Sequence, residues 1–371
     1  MDSLLKRAWR YLSLHFEHQQ IGLIIDEVGF RKWGKHSACI ARQWLGCIGK
    51  QDNGQVFVAA TLCAGKLFSI VRMKLFMPKS WDNDQQRRKA CHIPALERHI
   101  PKTEMARQMV AHISSLLPLK PFWIGFDALY GTCLELLYWL DEQGHRFAAE
   151  IKTDTKFYLH DPDPCLPQHK NGKPYKYHKT DQKDISLKKY CQGLEDEDFT
   201  EMEYRNGTKG RMKGLFHRRT IWVWNKEYDR AIECELLLKK EGDQIKATWF
   251  NRSKDLPTRQ LAYMQEQRYF VEQSFKEGKN QTALGDYQLR GWMATHRHLV
   301  CSMMALNFLT EQRHHSSKAY PHITIPDLVR FMLILIPSKV TTIEQRFEAF
   351  KDKHEHYEKQ INSGIVQQRQ T

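Results

Sequence analysis

Three acidic residues stand where their type and spacing could do chemistry. Asp26 closes the apolar run Ile21-Gly22-Leu23-Ile24-Ile25, and Asp127 closes Phe122-Trp123-Ile124-Gly125-Phe126. Short apolar runs of this kind read as buried strands. An acid at the carboxyl end of such a strand faces the crevice where open α/β sheets bind ligands. Two such carboxylates are hard oxygen donors suited to Mg²⁺ or Mn²⁺, and two ions about 4 Å apart can clamp both oxygens of a phosphoryl displacement. Acids in these places also begin ordinary turns, and spacing alone leaves both readings open. The third acid, Glu272, lies four residues after Arg268 and seven before Lys279. At about 100° per residue the three fall within roughly 40° on one helix face, leaving Phe270, Val271 and Phe275 for the core. A carboxylate between two cations can ligate metal while its neighbours grip phosphate. A solvated face with an i, i+4 ion pair has the same spacing.

The elements that must position these acids are legible in outline. Residues 21–26 predict a strand, and the apolar stretches 36–49 and 55–63 predict two more, with a hairpin turn at Asn53-Gly54. A further strand is expected over Phe68–Phe76, ended by Pro78. Met105, Met109, Ile113 and Leu116 recur at helical period over Thr103–Leu117, and a second helix follows Asp127 over Leu134–Gln143. Strands followed by a helix and a strand predict an α/β fold with a mixed sheet. Residues 151–255 change character: 160–189 are rich in Pro, His and Lys without a period. Strand-like alternation then appears in Thr220–Trp224, Glu233–Leu238 and Gln244–Phe250. From Leu261 to about Gln312 the pattern is helical, and an apolar helix is expected at 327–336 before a polar tail.

These readings divide the chain into a short N-terminal segment (1–20), a core's first part (21–150), a β-rich insertion (151–255), the core's second part with Glu272 (256–312), and a C-terminal helical region with a polar tail (313–371). The 371 residues carry 57 Lys and Arg against 43 Asp and Glu, a formal charge of +14. The excess is spread along the chain, which suggests a long contact surface for an anionic partner. The 41% apolar content excludes wholesale disorder. No run approaches the roughly 18 apolar residues that read as a membrane span, and no secretory signal is visible, so a soluble cytoplasmic protein is expected. Nine cysteines without a C-x-x-C pair argue against a disulfide framework, and the histidine pairs lack zinc-site spacing. Within the insertion, Trp222, Trp224 and Trp249 are of a type that stacks on unpaired bases, although core packing is their ordinary role. Residues 205–219 hold Arg205, Lys209, Arg211, Lys213, Arg218 and Arg219 with no acid, so Arg211 and Lys213 could track a nucleic-acid backbone.

Several blocks together resemble the bacterial insertion-sequence transposases of the DDE superfamily. Asp26-Glu27-Val28-Gly29-Phe30, Lys32 and Gly34-Lys35-His36-Ser37 resemble the first catalytic block, and Leu75-Phe76-Met77-Pro78-Lys79-Ser80-Trp81 the segment after it. Phe126-Asp127-Ala128-Leu129-Tyr130-Gly131 is similar to the second acid's block. Arg268, Glu272 and Lys279 match the signature Y-(2)-R-(3)-E-(6)-K, and Gly291-Trp292 and His296-Arg297-His298 follow as in relatives. The resemblance covers about residues 20–312.

That resemblance implies an RNase H-like mixed sheet flanked by helices, interrupted by a β-rich insertion before the last catalytic helix. It implies Asp26, Asp127 and Glu272 as catalytic, metal-binding residues for Mg²⁺, with Mn²⁺ as substitute and two ions in all. Arg268 and Lys279 would contact DNA. The implied activity is cleavage at transposon ends and strand transfer into target DNA, by a dimer on paired ends in the bacterial nucleoid. Two departures are visible. The signature's Tyr position is Gln265, and only 25 residues precede Asp26, where relatives carry a longer helical region. The alternatives are therefore a cleavage-incompetent DNA-binding remnant, or a nuclease without strand transfer. Glu27, next to Asp26, should point to the opposite face of its strand.

Overall fold

Apolar runs buried on both sides build the centre of the molecule. The computed structural model describes residues 1–335 apart from 170, 172, 208 and 209, and then 342–345, 347–348, 350–352, 354–356 and 358–359. Lys209, the Arg205 side chain and the polar tail beyond 359 lie outside the described residues. The strands β1 (Gly22–Arg31), β2 (Ala41–Leu45), β3 (Lys50–Ala64), β4 (Leu67–Leu75), β5 (Trp123–Phe126) and β6 (Phe147–Glu150) come first. β5 lies parallel to both β1 and β6, while β3 runs antiparallel to β1, β2 and β4. The later strands are the short pair β7 (Lys156–Phe157) and β8 (Ile185–Ser186), then β9 (Thr200–Gly207), β10 (Gly210–Val223), β11 (Ile232–Glu241) and β12 (Gln244–Asn251).

β12 pairs with β6, Trp249 opposite Ala149, so the strands of the β-rich segment continue the central sheet. Its order is β2-β3-β1-β5-β6-β12-β11-β10-β9, with β4 also on β3. The helices are α1 (Asp2–His15), α2 (Lys79–Asp82), α3 (Gln85–Ala90), α4 (Lys102–Leu116), α5 (Ala128–Gly131), α6 (Leu134–Glu142) and α7 (Leu187–Gln192). After the last strand come α8 (Thr258–Gln267), α9 (Tyr269–Gln281), α10 (Trp292–Ser316) and α11 (Ile325–Leu335).

Alternate residues of β1 sort the helices into two layers, because successive side chains of a strand point to opposite faces. Leu23 and Ile25 join a core with Leu12 of α1, Met109 of α4 and Leu137 of α6. Ile24 and Val28 join the opposite core with Leu261 of α8, Phe275 of α9 and Met303 of α10. The fold is therefore the expected mixed α/β sheet flanked by helices. The first residues take part in it: Leu5, Trp9 and Leu12 of α1 are buried, and Arg7 pairs with Glu311 of α10 at 2.7 Å. All nine cysteines are free. Among the described residues no helix is long and apolar enough to cross a membrane.

Two local expectations fail for reasons the pairing makes plain. Asn53-Gly54 is no turn; it lies inside β3, and the reversal falls on Gly46–Ile48. Asn53 instead donates its side-chain amide to the carbonyls of Lys32 and Gly34 at 2.8 and 2.7 Å. Gly54 is needed for close approach, since a Cβ there would sit 2.5 Å from the Phe30 carbonyl oxygen. Nor does Asp26 end its strand. The fifteen-residue β3 keeps pairing with β1 as far as Arg31, whereas β5 stops at Phe126, opposite Ile25. Asp26 is thus the first residue beyond the parallel ladder, and the crevice survives by a different route.

The outer sheet is tied to the helices by a buried lysine. Lys239 of β11 is almost fully buried and reaches Glu266 of α8 at 2.6 Å, Glu241 at 2.8 Å and the Tyr204 hydroxyl at 3.1 Å. Removing one partner of a buried pair strands the other charge. Lys239→Met is expected to cost about 3 kcal/mol, read as a lower urea midpoint at unchanged slope. A midpoint equal to that of the wild type would overturn it.

Candidate active site

Three separate elements bring the sequence's acids to one cleft. Asp26 comes from β1, Asp127 from the N-cap of α5, and Glu272 from the first turn of α9; all three line a cavity of about 980 Å³. Asp127 is held by the start of its helix, its Oδ1 accepting the N–H groups of Leu129 at 3.0 Å and Tyr130 at 3.4 Å. This is a capping interaction, which explains why an acid sits directly after a four-residue strand. Asp26 Oδ1 accepts the backbone N–H of Glu27 at 2.7 Å. Burial pushes the Asp26 carboxyl up to about 7; Arg268 opposes this, and the nearby charges of Asp127 and Glu272 add to it.

Arg268 is the hub of the site. It sits between α8 and α9 in helical conformation and reaches three carboxylates from one guanidinium. Its Nη1 lies 3.3 Å from Asp26 Oδ2, its Nη2 3.2 Å from Glu272 Oε1, and its Nε 2.6 Å from Glu150 Oε1. Glu150 escaped the sequence reading, although the signal was available: it closes the short apolar strand β6 as Asp127 follows β5. Glu27 points to the opposite face from Asp26, as expected, where Lys102 of α4 meets it at 2.5 Å. Burial raises the Glu27 carboxyl, with Lys102 working against that rise. No motif marked Lys102, because its partner lies 75 residues away.

The remaining candidates separate into two groups. Lys279 lines the cleft from α9, donates to the Gly29 carbonyl at 3.3 Å and lies over the Phe30 ring. Arg211 and Lys213 are not brought to the acids. They stand on β10, at the far side of the sheet, in exposed pairs with Glu203 and Glu201 at 3.0 Å each. Trp222 is half-buried on β10, its backbone bridged to Tyr158, and does not line the acidic cleft. Gln265, at the signature's Tyr position, is buried and donates to Thr248 Oγ1 at 2.9 Å.

The donor set suits a hard divalent cation, since three carboxylates line one cleft. As the side chains stand, no group of three His, Cys, Asp or Glu among the described residues is arranged to hold a metal ion. The guanidinium of Arg268 lies between Asp26 and Glu272 and supplies the positive charge there.

The sequence profile of the DDE superfamily endonucleases matches residues 3–211. The chain belongs to this family. The match takes in Asp26 and Asp127 and stops short of Arg268, Glu272 and Lys279. No curated protein matches the chain. Membership agrees with the RNase H-like character of the mixed sheet, and it makes the chain one of a group of endonucleases that act on DNA with divalent metal ions. In this DDE endonuclease the two acids inside the matched region and the one beyond it face a common space.

Proposed function

We propose that the protein is a DDE-type DNA transposase of the bacterial insertion-sequence kind, cutting DNA at the ends of a mobile element and joining the freed 3′ ends to a target. The observation that carries the reading is the shared cleft of Asp26, Asp127 and Glu272, drawn from elements 101 and 145 residues apart in sequence. Asp26, Asp127 and Glu272 would hold Mg²⁺ or Mn²⁺, two ions in all. When bound, the ions supply Lewis acidity and offset the charge that develops on the transferring phosphoryl group. The chain's own part is placement. Asp127 is fixed by its capping bonds, and Asp26 by the backbone of β1. Glu272 extends from α9 with its side chain 59% exposed, free to adjust toward a ligand. Lys279, with Lys276 and Lys152 on the same cleft, would grip phosphate oxygens of the strand being cut. A dimer on paired ends, in the nucleoid, completes the proposal.

The test uses duplex DNA carrying the repeats that flank the coding region, with Mg²⁺ or Mn²⁺. Wild type is expected to nick the repeat end and to give joined product. Glu272→Gln should cut at least about 1,000-fold more slowly while binding the same DNA. Undiminished cutting by that variant would overturn the site. Nicks without joined product would reduce the function to that of an endonuclease, and binding without any nick would make the protein a remnant.

A further inference from the structure

Arg268 forms a wall between two spaces. With Glu272 it lines both the acidic cleft and a neighbouring chamber of about 300 Å³, and Glu150 lines only the chamber. The guanidinium is gripped unequally across this wall. Its stem nitrogen, Nε, makes the short contact to Glu150 at 2.6 Å, while the two outer nitrogens make longer ones to Asp26 and Glu272 at 3.3 and 3.2 Å. Glu150 is itself anchored, at the last position of β6 and opposite Thr248 of β12. A guanidinium is planar and its donors are set in a rigid fork, so holding Nε fixes the direction in which the outer pair points.

From this geometry, and resting on the metal reading proposed above, we infer that Glu150 is a positioning residue: it anchors Arg268 through Nε, so that the outer nitrogens, once Asp26 and Glu272 take metal, stay at the rim for the phosphate of a bound strand. Without metal, the outer nitrogens of Arg268 neutralise Asp26 and Glu272. With those carboxylates engaged by metal, the guanidinium would lose both partners and be repelled. The bond from Nε to Glu150 lies on the other side of the wall, so it survives. The guanidinium stays at the rim with its outer pair released, and a phosphate oxygen is the ligand that pair fits. Were Glu150 neutral, Arg268 would have Asp26 and Glu272 as its sole carboxylate partners, and cations would have to displace it from both.

Calorimetric titration of the full chain with Mn²⁺, without DNA, tests this independently of activity. Glu150→Gln is expected to weaken Mn²⁺ binding about tenfold, and Glu150→Asp, which keeps the charge, to recover most of it. Arg268→Gln should tighten Mn²⁺ binding, and in that background the Glu150→Gln change should shrink to about twofold or less, since the two act as one unit. An equal loss in both backgrounds would show Glu150 to be merely a nearby negative charge and would overturn the inference, as would unchanged affinity in Glu150→Gln. Absence of Mn²⁺ binding to the wild-type chain would remove the metal reading itself, and the inference with it.

Discussion

An Asp26→Asn chain is expected to lose metal-dependent DNA cleavage by about 1,000-fold or more, and yet to melt higher than the wild type when metal is withheld. Both halves come from one carboxylate. Burial lifts Asp26 from its ordinary value of 3.8 to about 7, which means that the folded chain carries its ionised form at a cost. The folded state holds this proton over a range in which the unfolded state has released it. Stability from this group is therefore greatest below about pH 4, falls as pH rises to about 7, and stays low above. At about 1.4 kcal/mol per pH unit the full shift would bound the gain from a neutral side chain. The opposing pull of Arg268 is already contained in that shift, which is an upper bound, and a gain on the order of 2 kcal/mol is expected, or about 2–4 °C for a chain of this size. Scanning calorimetry in chelator at pH 8 should show the variant melting higher, and at pH 5 the gap should narrow. A variant that melts lower at pH 8 would refute the account. Stability given up for a site is a common exchange in enzymes, and here it is localised to a single atom group.

Gly131→Ala should do the reverse, harming fold and site together by adding one methyl group. Gly131 ends α5, the single helical turn capped by Asp127, and a Cβ there would lie 2.1 Å from the Glu150 carbonyl oxygen and 3.1 Å from the Ala149 side chain. The nearest obstacle is backbone, which cannot rotate away as a side chain can. The turn must move off β6, taking Asp127 with it and disturbing Glu150 on the other side. We expect a loss of about 3 kcal/mol in urea unfolding, together with cleavage reduced well beyond what the unfolded fraction explains. Full activity in the folded fraction would mean that α5 does not set the position of Asp127.

Much of this could be read from the chain before any coordinates. Helix α4, strands β4 and β5, strands β11 and β12 and the helical stretch from α8 onward all fall near where periodicity put them, because each buries an uninterrupted face; of β10 only the end from Thr220 was expected to be strand. The three acids of the cleft were also visible, each next to an apolar run or at helical spacing with cations. What escaped depends on distant pairing. Nothing in Glu27-Val28-Gly29-Phe30-Arg31 says strand until the long partner β3 is beside it. Asn53-Gly54 has the residue types of a turn, and only the neighbouring Phe30 carbonyl gives its glycine another purpose. The three-way grip of Arg268 joins residues 118 and 242 positions away, a relation that no local pattern carries. The basic run with Arg211 and Lys213 could be read as a phosphate track or as a segment balanced by the acids before it, and its pairs with Glu203 and Glu201 on the preceding strand of the same hairpin accord with the second.

The join of β12 to β6 has a metric consequence. From β1, which bears Asp26, to β10, which bears Arg211 and Lys213, the sheet takes five strand-to-strand steps without a break. At about 4.8 Å per step that is about 24 Å across the strands, and because the register sets Ile25, next to Asp26, level with Arg219, Arg211 lies farther still along β10. A single hydrogen-bonded sheet has no joint at which this spacing could lengthen. Any partner that touches both strands therefore meets them at a fixed separation.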